Sequence, residues 1–94
     1  RAYEGVVRPT RYLLNKLVLP LPIKGGGLLR TVDDARAYVL ALPPPVQPEW
    51  ELAWTLISKE ADIPAVTRQV LIALLLADQL DLKVLARMIG ARRR

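Results

Sequence analysis

Eight prolines punctuate this 94-residue sequence, and their positions decide where a helix can run. Proline lacks the backbone donor, and its ring clashes with the preceding turn. Pro9, Pro20 and Pro22 therefore forbid any long helix in residues 1–30. Pro43-Pro44-Pro45 stops whatever helix precedes it, because the residue before a proline is pushed out of the helical region and such a run prefers polyproline II. Pro48 and Pro64 stand instead where helices begin, where the missing donor costs nothing. The chain divides into an irregular first third and a helical remainder.

The remainder carries its own start and stop signals. Thr31 offers a side-chain acceptor, and Asp33 and Asp34 suit the positive end of a helix. Val32, Ala35, Tyr38, Val39 and Leu42 recur at helical spacing, which predicts helix one over 32–42. Pro48, Glu49 and Glu51 open a second helix, 49–61, with Trp50, Ala53, Trp54, Ile57 and Ala61 on one face. Asp62 and Pro64 open a third, 64–78, apolar nearly all round, as a helix buried on most sides is. Asp81 caps a fourth, 82–89, and Gly90 is the expected stop. The expected fold is therefore all-α, a small four-helix bundle over 31–94 with a basic C-terminal tail. An extended, Pro/Gly-containing basic arm, 1–30, precedes it. Val6–Val7 and Leu17–Ile23 read as short extended pieces, Tyr12–Leu19 as one or two helical turns, and Lys24-Gly25-Gly26-Gly27 as a flexible hinge. The arm is apolar without a clear period, so it must lie on the helical body or on a partner.

Composition excludes several functions. Hydrophobic residues are 52% of the chain and mean hydropathy is +0.21, unlike a disordered chain. There is no cysteine and no histidine. A disulfide scaffold, the usual zinc sites, cysteine nucleophiles and a Ser-His-Asp arrangement are thereby ruled out. Asp33 and Asp34 are adjacent and point about 100° apart on a helix, so they do not converge as a glycosidase pair does. Lys24-Gly25-Gly26-Gly27 has its lysine before the glycines and Leu28-Leu29 after, the wrong order for a phosphate loop. The chain reads as a non-enzyme with no metal and no cofactor.

The formal charge is +5, but it is unevenly placed. Residues 1–30 carry six basic side chains and one acidic. Residues 31–81 carry three basic and eight acidic, and residues 82–94 carry five basic and none acidic. The surplus sits at two ends around an acidic middle. The chain starts at Arg1, with no secretory signal pattern, so it is either processed or a piece of a longer protein. Its longest apolar run, Val70 to Ala77, is far short of the about 20 residues a membrane span needs. These features read as a cytoplasmic protein with no transmembrane segment.

Trp50 and Trp54 lie four apart, on one helix face. Each can bury ~150–250 Å², and with no phenylalanine in the chain they are the largest core candidates. The same face suits a partner anchor, since tryptophan is enriched at binding hot spots. The expected core is Val32, Tyr38, Val39, Leu42, Trp50, Trp54, Ile57, Val70, Leu71, Leu74, Leu75, Leu85 and Ile89. Helix three is too apolar for a monomer of this size, which adds Leu71, Leu75 and Leu76 to the two tryptophans as expected partner-binding residues.

Leu82, Leu85 and Ile89 line one side of the last helix, Ala86 is a small residue between them, and Gly90 follows four positions later. Over these 13 residues, 82–94, the pattern resembles the first helix and turn of a helix-turn-helix DNA-binding motif. The recognition helix of that motif would follow Gly90, and only four residues remain. The other reading, an amphipathic helix with a glycine stop and a basic tail, fits better. Two functional expectations follow. The first is a non-catalytic helical interaction or accessory subunit that buries apolar helix faces against a protein partner or in a homo-oligomer. The second is a small nucleic-acid-binding protein or regulator. It would neutralise phosphates with Arg8, Arg11, Lys83, Arg87, Arg92, Arg93 and Arg94, provided the basic ends meet in space.

Overall fold

The structure is a computed structural model and describes residues 11–92. It is mixed α/β, not all-α, and not a helical bundle. A 3-10 turn (Tyr12–Leu14) leads into strands β1 (Lys16–Ile23) and β2 (Gly27–Thr31). Helices α1 (Val32–Leu40), α2 (Pro48–Ser58), α3 (Ile63–Leu76) and α4 (Leu82–Arg92) follow. The expected arm is, from residue 16 on, an antiparallel hairpin that belongs to the core. Val6–Val7 lies outside the described residues.

The correction has a physical reason. Prolines end helices, but in a two-stranded sheet both strands are edges, where a missing donor can face away from the ladder. Leu21, Pro22 and Ile23 pair with Leu29, Leu28 and Gly27, while Lys16 pairs with Thr31. Between those registers β1 advances five residues and β2 two, so β1 bulges between Lys16 and Leu21, a stretch that includes Pro20. Lys24-Gly25-Gly26 is the hairpin turn rather than a hinge, and Gly27 opens β2. Gly25 and Gly26 have φ of +97° and +102°, which glycine adopts without steric cost. Leu17, Leu21 and Leu29 are buried on the side on which the helices of the core pack, and Pro22, next to Leu21 and so facing the other way, is buried too.

Local chemistry sets the helix ends. Thr31 Oγ1 accepts the Asp34 N–H at 3.1 Å, and Asp34 Oδ2 accepts the N–H groups of Thr31 at 3.2 Å and Arg30 at 2.9 Å. This reciprocal box satisfies donors that a helix start leaves open. Asp81 Oδ1 accepts the Val84 N–H at 3.2 Å at the start of α4. Asp62 precedes α3 without a side-chain cap bond. Gly90 does not stop α4, which continues to Arg92. α2 and α3 each end in a Schellman arrangement. Glu60 N–H donates to Ile57 O and Ala61 N–H to Leu56 O, and Asp78 and Gln79 repeat the pattern on Leu75 and Leu74. Glu60 and Asp78 consequently hold φ of 55° and 58°.

The core lies between the hairpin and α1, α2 and α3. Val32, Ala35, Val39, Trp50, Ala53, Ile57, Val66, Val70, Ala73 and Leu74 fill it, with Leu80 beyond α3. Tyr38 rests on Trp50 with ring centroids 5.3 Å apart. Segment 79–81 runs along the end of β1: Lys24 N–H donates to Gln79 O at 2.8 Å and Asp81 N–H to Pro22 O at 3.0 Å. α4 is thereby docked at the hairpin tip. Of the expected core, Trp54, Leu75 and Ile89 are exposed instead.

Candidate functional site

The outer face of α3 leaves three large apolar side chains exposed together. Residues 66, 70, 73 and 74 repeat at core spacing and are buried, which turns the positions between them outward. Ile72, Leu75 and Leu76 are 39%, 51% and 65% exposed. Spaced three and four residues apart, they share a helix face. Leu71, half-buried, borders them on one side. Arg68, exposed and one turn before Ile72, is the only charged residue between Ile63 and Leu76.

Two anchors fix that face in place. Thr67, buried, donates from Oγ1 to Ile63 O at 2.8 Å and accepts the Val18 N–H at 3.0 Å, binding α3 to β1. Gln69 Nε2 donates to Glu49 O at 2.9 Å, binding α3 to α2. With one flank on the hairpin and one on α2, α3 presents Leu75 outward. After the helix, Asp78 carries a side chain 89% exposed, its Oδ1 2.8 Å from Lys24 Nζ.

The tryptophans separate. Trp50 is only 3% exposed and is a core residue. Trp54 is 36% exposed and borders a groove of about 540 Å³ between α1 and α2, walled also by Leu40, Leu42 and Val46, with Glu51 among its lining residues. Five expected partner residues thus divide: Trp54, Leu75 and Leu76 are exposed, Leu71 is half-buried, and Trp50 is not accessible. Ile72 and Leu40, also exposed, lie outside that expected set. The signal for Ile72 was present, because it lies three residues before Leu75 and two after the core position Val70.

The basic residues do not form one patch among the described residues. Arg11 precedes the start of β1, whereas Lys83 and Arg87 lie on α4, at its end. An eight-residue strand separates the two groups. Arg8, Arg93 and Arg94 lie outside the described residues, and Arg92 is the last residue of α4.

Two phenols are perturbed. Tyr12 OH donates to Ala61 O at 2.6 Å, and burial, then the carboxylates of Glu60 and Asp62, push its pKa up. Burial alone pushes Tyr38 up. Both are accounted for by packing. Among the described residues no group of three or more His, Cys, Asp or Glu side chains is placed to hold a metal ion, and no helix is long and apolar enough to cross a membrane.

No family model, curated protein or solved structure matches this chain.

Proposed function

We propose that this protein is a non-catalytic interaction subunit whose α3 outer face is covered by a second chain. The observation that carries the reading is the exposure of Ile72, Leu75 and Leu76 together on a helix anchored from two sides. Isolated apolar side chains on a surface need no explanation, but a contiguous apolar stripe marks a contact surface. Such anchoring favours the same reading, because a face already in place loses little conformational freedom on docking.

The test is gentle isolation of the tagged full chain from its native cells, beside a Leu75→Glu/Leu76→Glu variant. The wild-type chain should come with a second polypeptide, like or unlike itself, and the variant should lose it while keeping its thermal unfolding midpoint. A wild-type chain that arrives alone and sediments at 10.5 kDa overturns the reading.

A further inference from the structure

We infer that the outer face of α4 seats this protein on an anionic phospholipid surface, with Leu82 and Ile89 entering the headgroup layer and Lys83 and Arg87 set against the lipid phosphates. The inference goes beyond the function proposed above and does not depend on the α3 face.

α4 packs on the rest of the chain along one side. Leu85 is half-buried against the core. Val84 and Met88, also half-buried, line a cleft beside Pro22, Ile23 and Leu28 at the hairpin tip. The other side faces outward and is divided in two. At about 100° per residue, Leu82, Ala86 and Ile89 fall within an arc of about 60°, and Lys83 and Arg87 occupy the arc beyond Ala86. All five are exposed, Leu82 by 57% and Ile89 by 42%. Gly90 lies between the two strips, and a Cβ there would meet nothing within 4 Å.

The charges point to the partner. The sequence from 82 to 94 carries five basic residues and no acidic one. Lys83 and Arg87 form no ion pair among the described residues. The carboxylates just before the helix are engaged: Asp81 accepts the Val84 N–H, and Asp78 lies 2.8 Å from Lys24 Nζ. An anionic surface therefore meets two cations with no competing internal partner. A partner that supplied phosphates alone would leave Leu82 and Ile89 in water. A phospholipid boundary supplies phosphates and apolar chains together, within the about 5–10 Å that a basic amphipathic helix enters. Only Ala86 and Gly90 stand beside the two larger apolar residues, so the strip is shallow and suits a fluid surface. A protein partner would instead anchor its side chains in recesses. Each cation near such a surface strengthens binding about fivefold, so two cations on a short helix give weak, reversible, salt-dependent binding.

Co-sedimentation of the purified full chain with phosphatidylcholine vesicles, with and without phosphatidylserine, tests this. The chain should bind the phosphatidylserine vesicles at low salt, leave them at high salt, and ignore phosphatidylcholine alone. Lys83→Glu/Arg87→Glu should weaken binding by about thirtyfold or more. Leu82→Gln/Ile89→Gln keeps every charge and should weaken it by about tenfold. Lys16→Glu/Lys59→Glu makes the same change in net charge at the opposite end of β1, where Tyr12 OH bonds Ala61 O, and should leave binding within about threefold. Every substituted position is exposed, and thermal unfolding of each variant verifies the fold. A chain that stays in solution beside phosphatidylserine vesicles at low salt overturns the inference, as does binding indifferent to Lys83→Glu/Arg87→Glu. Binding unaltered by Leu82→Gln/Ile89→Gln also overturns it, and equal binding to a single-stranded RNA oligonucleotide then identifies phosphate recognition alone.

Discussion

Thr67 Oγ1 accepts the backbone N–H of Val18 at 3.0 Å while donating to Ile63 O at 2.8 Å. One hydroxyl thus joins α3 to the hairpin across 49 residues of sequence. Thr67→Val keeps the shape and leaves the Val18 N–H without its acceptor. The expected loss is about 1–2 kcal/mol of stability, read by urea unfolding, whereas Thr67→Ser retains the acceptor and should lose less.

The capping box of α1 rests on Thr31 and Asp34. Thr31→Ala removes the acceptor of the Asp34 N–H, and about 1 kcal/mol should be lost. Asp34→Ala strips acceptors from two N–H groups, those of Arg30 and Thr31, and its cost should be at least as large. Denaturant midpoints of the two single variants and the double variant show whether the pair acts as one unit, in which case their losses do not add.

Glu60 holds φ of 55° at the end of α2. A side chain there costs roughly 1 kcal/mol that glycine does not incur. Glu60→Gly should therefore raise the thermal midpoint by a few degrees. It also removes a carboxylate beside Tyr12, so the Tyr12 pKa should fall towards its ordinary value.

The Tyr12 phenol is raised above its ordinary 10.0 by burial and then by Glu60 and Asp62, and burial raises Tyr38 from the same value. A group whose folded pKa exceeds its unfolded pKa stabilises the fold fully below the unfolded value and loses that contribution as pH rises through the folded one. Unfolding experiments should show constant tyrosine contributions below pH 10 and a decline above it. Tyr12→Phe should flatten part of that decline, since the ionised phenol can no longer donate to Ala61 O.

Adjacent leucines on α3 should behave oppositely. Leu74 is fully buried, and Leu74→Ala should lose about 2–5 kcal/mol through lost contacts and the cavity left behind. Leu75→Glu changes a half-exposed position and should leave the unfolding of the dilute chain nearly unaltered while abolishing association. Urea unfolding and sedimentation of the two variants separate core from contact surface.

Legibility in the sequence followed the range of the interactions. Thr31, Pro48 and Asp81 act on residues a few places away, so their roles at helix starts could be read locally. The hairpin could not be read so. Pro20 and Pro22 argue against a helix with equal force whether the segment is irregular or an edge strand, and what decides is pairing with Leu28 and Leu29 across the glycine turn. The core placement of Leu75 failed for a related reason. On a helix apolar nearly all round, periodicity does not say which stripe meets the core, and the answer comes from Thr67 bonding to Val18 and Gln69 to Glu49. Trp54 and Trp50 share a face by spacing and both line the groove between α1 and α2, yet Trp50 is buried with Tyr38 against it while Trp54 is left exposed.

The most direct test of the account is the reactivity of a thiol at position 75 in the protein as isolated from its cells. The chain has no cysteine, so Leu75→Cys and, as an exposed reference on α1, Ala37→Cys each carry a single reactive group, and cysteine is a small apolar stand-in for leucine. If α3 is covered by a second chain, the thiol at position 75 reacts with a maleimide at least several-fold more slowly than that at position 37, and the difference vanishes on dilution or mild denaturation. Equal rates in the undiluted protein would show that the α3 face is open to solvent and would contradict the account.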